Sequence, residues 1–263
     1  MAASRSRKPA LMSRRALAGA MLALGLPGCG DQVALDGLSV ARRAQVASVI
    51  SGDTLEIDNG ERVRLAGVEA PRRGDPYADE AADVLARLAE GRQVELLFSG
   101  AHTDPFGRTT AQARVVESRT WLEGALLDAG AVRVRTYPEN RALAKVMLAR
   151  EAKARAARRG LWALDDYRVR LPEELNGGDR GLVIVEGRVE HAGRLTDGGV
   201  YLDLGQDWRS SASAEIPKGA LREFRSAGIN PMDLQGRLIR IRGAARGMRL
   251  TLDHPEQMER LKG

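Results

Sequence analysis

Val63-Arg64-Leu65-Ala66-Gly67-Val68-Glu69-Ala70-Pro71 alternates apolar and polar side chains until a proline stops it. That is the pattern of a half-buried strand running into a loop, so residues 61–68 are read as a strand. Upstream, residues 46–57 carry β-branched side chains on either side of the turn Ser51-Gly52-Asp53-Thr54, which predicts a hairpin. Downstream, an irregular loop at 72–76 leads into residues 78–88, whose apolar positions recur at helical spacing. Residues 93–98 and 109–116 read as two more strands, separated by the turn Asp104-Pro105-Phe106-Gly107. A helix at 121–129 is stopped by Gly130, and a longer one starts near Asn140, a candidate N-cap, and ends before Gly160. Five strands and three helices make this first unit, residues 44–167, α+β and mainly β.

Residues 168–181 contain Pro172, Asn176, Gly177 and Gly178 and read as a linker. Beyond it, residues 182–263 show strand-like stretches at 183–189, 200–204, 211–216, 238–243 and 248–252, with a helix near 220–227. Five strands with a helix after the third is the order of a small OB-like β-barrel. From Leu171 onward acids and bases balance, so charge gives this unit no push toward nucleic acid. Tyr201, Trp208 and Phe224 could stack on bases or fill a core.

The formal net charge is +6, but Arg5, Arg7, Lys8, Arg14 and Arg15 sit in residues 1–28, which hold no acid, and without them the chain is +1. Global charge therefore says little about partners, and any polyanion site must be a local patch. The basic start, the apolar stretch 16–26 and Leu26-Pro27-Gly28-Cys29 read as a signal peptide over residues 1–28, followed by a tether at 29–43. The apolar stretch is too short for a spanning helix. Its end resembles a bacterial lipoprotein cleavage site, which implies acylation of Cys29 and a lipid anchor on the periplasmic side of the cell envelope. The alternative is an ordinary cleaved signal with a chance cysteine; Ser13-Arg14-Arg15 also resembles a twin-arginine signal. Cys29 is the only cysteine, so no disulfide forms within the chain. His102, His191 and His254 are far apart in sequence, which argues against zinc, and there is no Walker-type glycine loop.

Ser51-Gly52-Asp53-Thr54, the stretch 63–71 and the Asp104–Arg108 turn, followed by a basic helix and Gly160-Leu161-Trp162, resemble in order and spacing the staphylococcal nuclease (thermonuclease) family. The resemblance runs from about residue 44 to Trp162, and the second unit resembles OB-like domains appended to some exported members. It implies a five-stranded OB-fold barrel with three helices. It also implies that Arg64 and Arg108 clamp phosphate, and that Asp53, Glu69 and the Ala70 carbonyl bind one calcium ion. Phe106 and Tyr137 are candidates for packing against a base or sugar, or equally for a place in the core. The chemistry suits the residue types: a planar guanidinium fork grips two phosphate oxygens and keeps its charge, and hard oxygens suit calcium.

Three positions depart from the family pattern. Ser51 replaces an acid beside the metal position, which predicts weak calcium binding, and Glu69 replaces an aspartate. Arg72 stands where the family has the glutamate that orients or deprotonates water, and an arginine cannot accept that proton. Asp75, on the flexible loop, is a candidate substitute base. Two functions follow. One is an exported, calcium-dependent nuclease acting on DNA or RNA, slowed at Arg72. The other is a catalytically impaired module that binds nucleic acid or an envelope protein. From Arg141 to Arg159 seven basic residues face the single acid Glu151, either a solvated helix face or one that attracts phosphate.

Overall fold

The computed structural model describes Leu35 and residues 37–98, 102–104, 107–207 and 209–262. The leader, Cys29, Phe106 and Trp208 lie outside the described residues. Strand β1 (Ser39–Ser51) turns at Gly52-Asp53 into β2 (Thr54–Ile57), and β3 (Arg62–Leu65) follows antiparallel, with Thr54 opposite Arg64. A two-residue strand β4 (Val68–Glu69) precedes helix α1 (Ala78–Ala89), β5 (Gln93–Phe98) and β6 (Thr109–Val115). β1 pairs twice, its first half with β5 and its second with β2, and β3 runs parallel to β6, which closes the barrel β1-β2-β3-β6-β5.

β1 begins inside the stretch expected to be a tether. Its exposed, arginine-rich side chains disguise a backbone that closes the ring against β5, from Ser39 opposite Phe98 to Gln45 opposite Gln93. The expected strand 61–68 is likewise broken. Ala66 donates its N–H to Ala111 at 2.9 Å and Gly67 turns the chain at φ +78, so β4 leaves the barrel. It pairs instead with β7 (Arg133–Val134), Val68 opposite Val134 and Glu69 opposite Arg133.

Val46, Leu55, Val63, Leu65, Val94 and Leu96 fill the barrel interior. Helix α1 seals it with Ala81, Leu85 and Ala89, one stripe at a spacing of four. Helix α2 (Leu122–Ala129) adds Leu122 and Leu126, and its buried Glu123 accepts the Ala113 N–H of β6. Helix α3 (Ala144–Ala156) starts later than expected. The Asn140 side chain accepts the Tyr137 N–H at 2.9 Å and closes a short 3-10 turn (Pro138–Asn140), so it does not cap the long helix. Of the basic side chains on α3, Arg150 pairs with Asp128 and Arg155 with Glu151, so part of that face is held by acids.

The stretch read as a linker is packed. Pro172 is buried, Arg170 holds Asp179 at 2.7 Å, and Arg170 exchanges backbone bonds with Ile184 and Glu186. The second unit comprises β8 (Arg180–Arg188), β9 (His191–Arg194), β10 (Val200–Asp203), β11 (Ser213–Ile216), helix α4 (Leu221–Ser226), β12 (Leu238–Arg246), β13 (Arg249–Thr251) and β14 (Met258–Arg260). Pairing runs β9-β10-β11-β13-β12-β8, with β14 on the other edge of β12. β8 and β9 are separated only by Val189 and Glu190, so the ring returns to its start, and β11 runs parallel to β13 as β3 does to β6. The second unit is thus barrel-like, with the strand order of the first. The units meet at a cluster of Ala154, Leu161, Trp162, Tyr167 and Ile184. Among the described residues no helix is long and apolar enough to cross a membrane.

Candidate functional site

The site is built at the broken end of the barrel. The β1–β2 turn presents Asp53, and Gly52 allows the turn to press on helix α1, since a Cβ there would lie 2.6 Å from the Ala81 Cβ. Asp53 is 5% exposed. Its Oδ1 accepts the Ser51 and Thr54 hydroxyls at 3.0 and 2.9 Å, and its Oδ2 accepts the Ala70 N–H at 2.9 Å. Arg64, opposite Thr54 on β3, reaches Asp53 Oδ2 at 3.3 Å and donates to the Val68 carbonyl at 3.2 Å. Arg108, just before β6, is braced by Asp104 at 2.7 Å, and its own N–H closes that turn on the same carboxylate.

These groups line one cleft of about 450 Å³, together with Glu69, Ala70, Arg72, Arg135 and Tyr137. The structure thus brings together all the residues the sequence proposed for phosphate and metal, and Tyr137 with them. Arg72 is exposed and lines the cleft without an ion pair among the described residues. Asp75 does not line it: its carboxylate accepts the Arg72 N–H at 2.9 Å and closes the 72–75 turn. Phe106 lies outside the described residues.

Sequence reading missed Arg133, Arg135 and Glu139. Glu69 forms an ion pair with Arg135, and Arg133 approaches its other oxygen at 3.9 Å. Burial pulls the Arg135 pKa down, but Glu69 and Tyr137 outweigh it and the net shift is upward; for Arg133 burial wins and the shift is downward. The guanidinium of Arg135 also lies 5.5 Å from the Tyr137 ring centroid. The signal was the alternation Val132-Arg133-Val134-Arg135, which puts both arginines on one face of a strand. Glu139 is the one acid lining the cleft without an ion pair among the described residues.

The donor set fits calcium poorly. A dication needs carboxylates with open lone pairs and excess negative charge. Here Asp53 already accepts four donors, Glu69 is held by Arg135, and the lining carries Arg64, Arg72, Arg73, Arg108 and Arg135 against Asp53, Glu69, Asp104 and Glu139. Among the described residues no three His, Cys, Asp or Glu side chains cluster as metal ligands do. What the cleft offers is fixed positive charge. Thr110, opposite Arg64 in the sheet and also in the cleft wall, has a buried hydroxyl with no partner among the described residues.

Residues 62–164 match the family model of staphylococcal nuclease homologues. A relative from Oryza sativa subsp. japonica described as a probable staphylococcal-like nuclease, CAN2, is 31% identical over 103 residues, 39% of this chain and 26% of the relative. Protein ParB of Escherichia coli is 29% identical over 132 residues, 46% of this chain and 72% of that protein. The chain thus spans about a quarter of the rice relative's length. With the barrel and the cleft described above, these matches show that the first domain is similar to staphylococcal nuclease homologues over residues 62–164.

Proposed function

We propose that the chain is a slow nuclease whose cleft holds a phosphodiester of DNA or RNA between Arg64 and Arg108. The observation that carries this reading is the convergence of Arg64, Arg108 and Arg135 on one cleft, each braced by its own acid. Bracing fixes the guanidinium planes before substrate arrives, so they need no reorganisation as negative charge gathers on the phosphate oxygens. In hydrolysis a water oxygen forms the new bond to phosphorus, the leaving oxygen departs, and the water's proton must go to a base. Arg72 cannot take it and Asp75 is turned away. Glu139, exposed on the cleft wall, is the acceptor in this reading. Tyr137 flanks the bound sugar or base. Calcium, which the family resemblance implies on Asp53, Glu69 and the Ala70 carbonyl, would require Arg135 to release Glu69.

A fluorescent oligonucleotide incubated with the protein tests the reading directly. Fragmentation is expected, falling about 10²- to 10⁴-fold in Glu139→Gln with binding retained. Equal cleavage by Glu139→Gln removes that residue from the chemistry. Binding without any fragmentation favours the second reading, an impaired nucleic-acid-binding module, for which Arg72 in the base position is the specific observation.

Export and a lipid anchor on Cys29, on the periplasmic side of a bacterial envelope, belong to the same proposal. The basic leader and the Leu26-Pro27-Gly28-Cys29 boundary support them. In a bacterial host the full chain is expected to incorporate labelled palmitate and sediment with membranes, and Cys29→Ser to do neither; equal labelling of both would remove the anchor.

A further inference from the structure

We infer that Arg135 is the resident cation of the cleft: its guanidinium, seated on Glu69, takes the charge position that the resemblance assigns to calcium, and the cleft binds a phosphate anion without a metal. The inference rests on the phosphodiester reading of the site and names how its charge is supplied.

Glu69 is 7% exposed and meets guanidinium on both oxygens, Arg135 on Oε2 and Arg133 at 3.9 Å from Oε1. A buried carboxylate so paired has its charge cancelled locally, and an incoming dication would have to displace Arg135 or be repelled by it. Arg135 is also held from its backbone. Its own N–H donates to Gly67 at 2.8 Å, the preceding Val134 N–H donates to Glu151 at 2.7 Å, and the following Thr136 is bonded by His254 at 3.2 Å. Glu151 is in turn gripped by Arg242, so the second domain fixes the segment that carries Arg135. Tyr137 lies against the guanidinium, whose remaining N–H groups can serve an anion in the cleft. The Thr110 hydroxyl, buried and without a partner among the described residues, gives such an anion a neutral donor beside Arg64.

The test is thermal unfolding of the full chain with calcium chloride alone, for the parent, Arg135→Gln and Arg135→Lys. The parent and Arg135→Lys are expected to be indifferent to calcium, while Arg135→Gln, with Glu69 released, gains about 10- to 100-fold in calcium affinity, the range set by freeing one charge-assisted bond. A parent that calcium stabilises as much as Arg135→Gln overturns the inference, and so does a folded Arg135→Gln that ignores calcium. Should Arg135→Gln fail to fold, the parent's affinity for a short oligonucleotide in chelator and in calcium decides. Equal affinities are expected, and clearly tighter binding in calcium overturns the inference. Failure to bind oligonucleotide under either condition would sink the phosphodiester reading and leave the calcium comparison standing.

Discussion

Glu123 shows how a single side chain in this domain fixes a pH dependence. It is fully buried on α2 beside β6, and burial pushes its pKa from 4.5 up to about 8, even though it accepts backbone N–H groups, including that of Ala113. A folded value above the unfolded one means the folded state binds the proton more tightly. The contribution to stability is therefore complete below about pH 4.5 and is lost as pH rises toward 8. Glu123→Gln, which keeps the shape and removes the charge, is expected to be more stable than the parent at pH 8 by about 1–3 kcal/mol and equal to it at pH 4. Urea unfolding at the two pH values checks this; a constant difference would show that the carboxyl is not the source. The arginines of the cleft work by the opposite logic. Arg64 and Arg108 are only partly exposed, and each is held in place by an acid, at 3.3 and 2.7 Å. Among the described residues Arg72 has no such acid, and it is exposed, suited to meeting an anion.

At the scale of elements, the segment carrying β7 decides what the site can do. Its two ladder residues contribute little pairing alone, and it is held by long-range polar contacts: Val134 to Glu151, Glu151 to Arg242, and Thr136 to His254. Arg242 and Glu151 are buried charges from different domains; Arg155 also pairs with Glu151 and Glu259 with Arg242, so loss of either partner leaves the other only partly compensated and costs less than the about 3–5 kcal/mol of a fully orphaned buried ion. None of this was legible in sequence, because every partner lies far away along the chain. The barrel strands were legible, since alternation and turn residues are local signals, as were Asp53, Arg64, Glu69 and Arg108, whose order carried the resemblance. Misreadings fell where local and tertiary demands diverge. Asn140 looked like a helix cap but is used by Tyr137, and the polar face of residues 39–43 hid a strand needed to close the ring. Asp75 read as a replacement base because it is near Arg72 in sequence, but that closeness makes the turn that points its carboxylate at the Arg72 N–H.

At the scale of the molecule, a closed barrel and a barrel-like sheet of like strand order are joined by a packed connection, and the second supports the wall of the cleft in the first. The second domain's balanced charge and its buried Phe224 agree with a supporting role, while the positive charge that matters is concentrated where Arg64, Arg72, Arg73, Arg108 and Arg135 converge. This explains why net charge was a poor guide: most of the excess lies in the leader, and the site is a local patch. The central claim is that this patch holds a nucleic-acid phosphate. The most direct measurement is the salt dependence of oligonucleotide affinity for the parent and for the Arg64→Gln/Arg108→Gln double variant. Loss of the clamp should weaken binding and lower the slope of log K against log salt by about 1–2, as removal of phosphate contacts does. An unchanged affinity and slope in a folded double variant would place the nucleic acid elsewhere and contradict the account.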